Sequence, residues 1–289
     1  MAKPLHKPHE TGATYYQDNV EESTVTDTEN IPLNYKGMDN DVKFRELFGE
    51  EVGRGRGSVV YARGDKATKV YRKGYSKRLA FSEAMMMATI EELNLPTTKI
   101  YSVREVEGHF ALEMSRAKGK QLLDAFLNED TYESAMATLV DLQLKLHNTH
   151  TNTLIPLVLV LKGSVSTNVA LDGERKAKIL KLIDTMPDGD AVCHCDFHPA
   201  NVIVDRDSYT IIDFLECARG NAYADSCRTY LDLYLLREKN ADDYLDLYCK
   251  KSGAKKEDIL AWLPIWEAIL YKLLDDKYSQ EFLNTIDRA

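Results

Sequence analysis

The sequence predicts an α+β protein of two lobes, a small β-rich first lobe carrying one helix and a larger, mostly helical second lobe. Three observations point that way. Short β-branched runs separated by tight turns fill residues 50–114. A single helical stripe interrupts them. After Gly119 the apolar periodicity becomes helical, apart from one strand-rich stretch over residues 190–213. At 289 residues the chain is long enough to bury a core in each lobe. The expected boundaries are a polar arm at 1–40, the first lobe at 41–115 and the second at 116–289.

The arm is polar, lacks sustained periodicity and contains an acidic, threonine-rich run from Glu21 to Glu29. From Val42 the pattern is globular. Ser58-Val59-Val60-Tyr61-Ala62 and Ala67-Thr68-Lys69-Val70-Tyr71 flank Gly64-Asp65, a hairpin signature. Residues 76–94 carry Leu79, Glu83, Met86, Met87, Ile90 and Leu93 on one helical stripe, and Pro96 ends it. Residues 99–106 and 110–114 form a second hairpin around Glu107-Gly108, and 115–120 connect the lobes. Helices follow over 122–128, 132–148 and 177–185. Then comes the strand-rich stretch with its His-Pro loop, and beyond Ala222 the chain reads as helical to its end.

Composition excludes several classes. The net charge of −9 is concentrated at the start: residues 1–51 hold eleven acids and five bases, six of the nine excess negatives. An acidic chain with no basic stripe argues against nucleic acid as a partner. No run of about 18 apolar residues is present, which argues against a membrane span. The first residues are polar and charged, with no apolar leader, so a cytoplasmic protein is expected. Five cysteines, odd in number and clustered in an apolar-rich half, read as reduced buried thiols.

The chemistry is carried by Val192-Cys193-His194-Cys195-Asp196-Phe197-His198-Pro199-Ala200-Asn201-Val202-Ile203-Val204-Asp205, followed by Ile211-Ile212-Asp213-Phe214. This is H-x-D-x-x-x-x-N between apolar strands, with a second carboxylate one hairpin later. Phosphoryl transfer asks for this set: a carboxylate to orient the acceptor hydroxyl, and an amide oxygen with another carboxylate to hold Mg²⁺. Asp196, Asn201 and Asp213 supply those groups. Any one alone reads as a capping residue. A rival reading makes His194, Asp196 and His198 metal ligands of a hydrolase, but it leaves Asn201 and Asp213 without roles and ignores Pro199.

The first lobe supplies what such a site needs. Gly53, Gly55 and Gly57, followed by Ser58, let backbone approach phosphates closely. Ser58 breaks the strict G-x-G-x-x-G pattern and a strand follows, which disfavours a dinucleotide fold. Lys69 lies mid-strand. Glu83 sits on its helix's apolar stripe, where an unpaired carboxylate is costly, so a Lys69–Glu83 ion pair is expected.

With these parts in order, residues 45–285 resemble the aminoglycoside phosphotransferase-like family, also called the phosphotransferase enzyme family, whose fold is protein-kinase-like. HCDFHPANVIVD is similar to its H-G-D-x-H-x-x-N loop and IIDF to its metal motif. Residues 220–225 resemble its G-x-x-x-x-D segment, and Leu146-His147 its helix-ending pair. The resemblance implies ATP and Mg²⁺, with Asp196 as base, Asn201 and Asp213 as metal ligands, and Lys69 with Glu83 at the phosphates. It implies that His194 and Asp225 brace the loop and that His198 lies near the transferred phosphate. It also makes 113–119 the interlobe hinge, with backbone groups of Ser115 and Ala117 on the adenine edge and Met114 lining its pocket. Cys195 and Ala200 depart from the family by standing where glycine is usual, and a cysteine beside the base suggests sensitivity to thiol reagents.

The function expected is an ATP-dependent kinase of a small-molecule hydroxyl, the acceptor being an aminoglycoside, amino alcohol or sugar. A protein kinase of the same fold is the alternative, against which stand the short segment from Asp213 to Gly220 and the lack of an A-P-E motif. An idle nucleotide-binding module is another, against which stand the intact Lys69, Asp196, Asn201 and Asp213. An aminoglycoside site calls for clustered carboxylates, for which Asp232, Asp242, Asp243 and Asp246 are candidates; three of them also read as a solvated helix face.

Overall fold

A computed structural model describes residues 41–271 apart from Arg56, and 276–288. The arm expected over 1–40 lies outside them. Strands β1 (Glu50–Arg54), β2 (Ser58–Arg63), β3 (Lys66–Tyr71), β4 (Ile100–Val106) and β5 (His109–Ser115) form one antiparallel sheet in the order β1-β2-β3-β5-β4. The alternation of side chains along a strand gives this sheet two occupied faces. On one, helix α1 (Asp41–Phe48) lays Phe44 and Phe48 over Val59, Tyr61, Val70 and Ala111. Asp41 fixes the start of α1 by accepting from Tyr61 Oη at 2.6 Å and Arg54 Nη2 at 3.0 Å. On the other face Ala67, Tyr71 and Leu112 join the main core with Ala80, Met87 and Ile90 of helix α2 (Lys77–Glu92). Lys69, two residues from both Ala67 and Tyr71, therefore points toward α2.

The second lobe begins with β6 (Lys120–Gln121), α3 (Leu122–Phe126), α4 (Tyr132–His147), α5 (Leu157–Thr167) and α6 (Gly173–Thr185). Helix α5 was not expected. Its sequence reads as a short apolar stretch interrupted by Pro156, but Pro156 sits at the N-terminal boundary, where a missing N–H breaks no helical bond. Strands β7 (Ala191–Cys193), β8 (Val202–Asp205), β9 (Ser208–Ile211) and β10 (Ala218–Gly220) follow, then α7 (Ala222–Leu236), α8 (Glu238–Ser252), α9 (Lys256–Leu260), α10 (Leu263–Leu270) and α11 (Asp276–Arg288). Two small sheets, β6-β8-β9 and β10-β7, frame the loop between β7 and β8.

The connection between lobes depends on one glycine. Gly119 has φ +118°, and a Cβ there would lie 1.9 Å from the carbonyl oxygen of Val204. Only glycine lets the linker pass so close to β8. Among the described residues, no helix is long and apolar enough to cross a membrane.

Candidate active site

On the first-lobe side, Lys69 is paired in register with Val60 and Leu112, which fixes its direction toward α2. Its Nζ lies 2.6 Å from Glu83 Oε1 and 3.9 Å from Asp213 Oδ1 across the cleft. Glu83 is only 2% exposed and takes a second bond, 2.8 Å, from Tyr71 Oη. The anomaly of a carboxylate on an apolar stripe is thus resolved as expected. Burial alone would lower the Lys69 pKa, but Glu83 and Asp213 overcome it and hold the ammonium firmly charged. Gly53 ends up within β1, while Gly55 and Gly57 form the turn: Gly55 N–H donates to Ser58 O at 2.9 Å, and Arg72 N–H to Gly57 O at 2.9 Å. Tyr75, stacked on Tyr71 with centroids 4.6 Å apart, lies 3.4 Å from where a Gly57 Cβ would be.

On the second-lobe side, the β7–β8 loop is held from behind. His194 is fully buried; its Nε2 lies 3.1 Å from Ile212 O, and its Nδ1 accepts from Asp196 N–H at 3.3 Å. Burial lowers its pKa, so the neutral ring donates through Nε2 and accepts through Nδ1. Cys195 has φ +67°, the left-handed region that costs a side chain about 1–2 kcal/mol. Its N–H donates to Asp225 Oδ1 at 2.6 Å, which holds the strained turn. Asp225 is itself buried and bonded through Oδ2 to His147 Nε2 at 2.8 Å and Gln143 Nε2 at 3.2 Å.

Asp196 faces the cleft. Arg228 Nη2 donates to its Oδ1 at 2.9 Å, while Asn201 Nδ2 lies 3.4 Å and His198 Nε2 3.6 Å from Oδ2. Burial pushes this carboxyl up, but His198 and Arg228 outweigh it and hold it well below the usual carboxylate range. Asn201 Nδ2 also donates to Asp196 O at 2.9 Å, which leaves its amide oxygen as the group to offer a metal. Ile212 N–H donates to Asn201 O at 2.9 Å, so the β8–β9 hairpin returns Asp213 beside the loop. Asp213 sits at φ +66°, turned toward Lys69. Lys69, Glu83, Asp196, Asn201 and Asp213 therefore line one cleft, with His194 and Asp225 behind it.

Two expectations need revision, the reagent-sensitive Cys195 and the clustered acceptor carboxylates, and one is narrowed, the adenine edge. Cys195 is 1% exposed and burial raises its thiol pKa well above the ordinary value, so it is shielded and poorly nucleophilic instead of reagent-sensitive. Ser115 N–H is already given to Lys99 O at 2.8 Å, which leaves its carbonyl for an adenine edge. Met114 is buried beside Thr98, and Ala117 lies in the linker between β5 and β6. The four candidate acceptor carboxylates do not form one cluster. Asp232 is buried against Arg228, Asp243 accepts from Tyr132 Oη at 2.9 Å, and Asp246 pairs with Lys256.

Two cleft residues escaped the sequence reading. Arg228 was visible as one of Asp225, Arg228 and Asp232 on a common helical face. Glu216 gave no signal in sequence. Solvent reaches it, yet enclosure within the cleft and the charges of Asp196 and Asp213 push its pKa up to about 7. A carboxyl raised above its ordinary 4.5 stabilises the fold fully below that value, and the contribution is lost as pH rises through 7. Because solvent screens an exposed carboxylate, Glu216→Gln is expected to melt only slightly higher than wild type at pH 8 and alongside it at pH 4, which thermal melts at the two pH values check.

A glycine-rich β-turn, a lysine–glutamate pair, a loop bearing Asp196 and Asn201, and Asp213 one hairpin later, set between two lobes, define the class: a protein-kinase-like fold. The sequence matches the model of the phosphotransferase enzyme family over residues 49–263, and the chain belongs to that family. Membership makes it a phosphotransferase. An aminoglycoside-3'-phosphotransferase of type VIII superposes with a TM-score of 0.58 at 21% identity, over 81% of this chain and 98% of that one. A thermostable mutant of an aminoglycoside phosphotransferase, in ternary complex with ADP and hygromycin B, superposes at 0.63 with 14% identity, over 86% and 98%. A choline/ethanolamine kinase family protein from Mesorhizobium loti gives 0.55 at 13%, over 83% and 86%. No curated protein sequence matches this one.

Proposed function

We propose that the protein transfers the γ-phosphoryl group of ATP, bound with Mg²⁺, to a hydroxyl of a small molecule. The observation that carries this reading is the chain of contacts joining Lys69 to Asp213 at 3.9 Å, and Ile212 to Asn201 and Asn201 to Asp196 at 2.9 Å each. Asn201 and Asp213 offer hard oxygen donors, the type Mg²⁺ takes. Magnesium held there would neutralise charge on the phosphates. Lys69, kept in place by Glu83, would contact the α- and β-phosphates under the turn formed by Gly55 and Gly57, with Gly53 and Ser58 on the strands that flank it. Backbone groups of Ser115 and Ala117, with Met114, would take the adenine.

Asp196 would accept a hydrogen bond from the acceptor hydroxyl and orient its lone pair toward the γ-phosphorus. As the new P–O bond forms, the bond to the β–γ bridging oxygen breaks. ADP leaves with that electron pair, and the hydroxyl proton passes to Asp196. His198, beside Asp196 and Asn201, is placed to donate to the phosphoryl oxygens. Little proton transfer is needed early in a loose transition state, so a carboxylate of low basicity suits the task.

The segment after Asp213 supports a small acceptor over a protein. It enters β10 within five residues and pairs with β7, leaving no stretch for a polypeptide platform. A cytoplasmic setting, rich in ATP and reducing, suits the five free cysteines. The comparison proteins named with hygromycin B and with choline and ethanolamine suggest the first acceptors to try. ADP release from MgATP should be measured with hygromycin B, streptomycin, choline and ethanolamine, then across hydroxyl-bearing sugars. Acceptor-dependent ADP release with a phosphorylated product is expected. No product from any acceptor, together with no binding of MgATP, would sink the reading.

A further inference from the structure

We infer that Arg228 is a positioning residue that selects which oxygen of Asp196 meets the acceptor hydroxyl. The inference rests on the kinase reading above. Helix α7 grips three successive residues of the β7–β8 loop. Asp225 takes the Cys195 N–H at 2.6 Å, Arg228 donates to the Asp196 side chain at 2.9 Å, and Thr229 Oγ1 donates to Phe197 O at 2.9 Å. The first and third grips hold backbone. Only Arg228 reaches a side chain, and that side chain is the proposed base.

The two oxygens of Asp196 are thereby made unequal. Oδ1 carries a charge-assisted bond from a guanidinium that is itself 4% exposed. Among the contacts of the described residues, Oδ2 takes the longer ones, from Asn201 Nδ2 at 3.4 Å and His198 Nε2 at 3.6 Å. The acceptor hydroxyl is therefore left Oδ2, on the side of the loop that carries Asn201. Arg228 is poorly free to move: it pairs with Asp232 one turn along α7, and its guanidinium carbon lies 5.8 Å from the centre of the Trp266 ring. Trp266 is fixed in turn by its indole N–H to Ala224 O at 2.7 Å. A free carboxylate rotates about χ2, which is broad and roughly two-fold; one tethered at Oδ1 presents Oδ2 in a single direction.

The obvious variant is unsafe, because Arg228→Met alone leaves Asp232 buried without its counter-charge. The double variant Arg228→Met/Asp232→Leu removes both charges with side chains of similar volume, which proteins tolerate well. Its melting temperature establishes folding. Turnover is then measured with MgATP and whichever of hygromycin B, streptomycin, choline or ethanolamine wild type phosphorylates.

A drop in kcat of roughly 10²-fold is expected, from lost orientation of the reacting groups, with KM for MgATP and affinity for AMP-PNP unchanged. Arg228→Lys, which keeps a charge beside Asp232 but not the planar fork, should fall between the two. Should the double variant fail to fold, Arg228→Lys carries the comparison alone. Wild-type kcat in a folded variant, or equal losses in kcat and AMP-PNP affinity, would overturn the positioning role while the kinase reading stands. Wild type that phosphorylates no acceptor and binds no MgATP would overturn both.

Discussion

Asp196→Asn is expected to lower kcat by about 10²–10⁴-fold, the range ascribed to a positioned general base. The substitution preserves shape. An amide oxygen in place of Oδ1 still accepts from Arg228 Nη2, now 2.9 Å away, and Arg228 keeps its partner Asp232. The backbone carbonyl of residue 196 still receives Asn201 Nδ2, and its N–H still reaches His194. Melting temperature should therefore change little. What disappears is the group able to take the acceptor's proton and to align its lone pair. In the proposed mechanism Asp196 meets the acceptor and not the nucleotide, so KM for MgATP is expected to hold. Steady-state ADP release and a thermal melt on the same preparation check both halves. Equal turnover in variant and wild type would remove Asp196 from the mechanism.

Asp225→Ala is expected to cost stability on a scale of about 3–5 kcal/mol, because it strips the acceptor from several buried donors at once. Cys195 N–H, His147 Nε2 and Gln143 Nε2 all converge on this carboxylate. An orphaned buried group costs about 1–3 kcal/mol. Burial opposes the charge of Asp225, yet His147 and the Cys195 N–H hold its pKa below the ordinary value. A depressed carboxyl pKa adds stability above the unfolded value, and that stability is lost as pH falls through the folded one. The variant should therefore lose most at neutral pH and converge on wild type in acid. A fall of roughly 10 °C in melting temperature is anticipated for a chain of this size. Asp225→Asn, which keeps an acceptor for Cys195 N–H, should lose less. A melting temperature for Asp225→Ala close to that of wild type would show that the Cys195 turn holds without its brace.

The parts legible in sequence were those whose spacing carries the chemistry. The H-x-D-x-x-x-x-N loop and the carboxylate one hairpin later needed only the local β8–β9 turn to meet, and they do. Glu83 was legible because a carboxylate on an apolar helical stripe demands a partner, and Lys69 is that partner at 2.6 Å. Helix α5 was hidden because Pro156 reads as a breaker until it is seen to occupy the first boundary position. Glu216 was hidden because its raised pKa comes from Asp196 and Asp213, residues whose charges bear on it only after the loop and hairpin fold together.

Sequence alone determined the class of chemistry to propose, since donor types and short spacings are local properties: two aspartates, an amide, and a lysine with its glutamate. Tertiary structure decided how those groups are held. It made Cys195 inert by burial, removed Asp232 from the acceptor set by pairing it with Arg228, and turned one face of α7 into a clamp on three successive loop residues. Each of these depends on the field and packing at a point where distant segments meet, and no spacing along the chain encodes a distance between elements that touch only after folding.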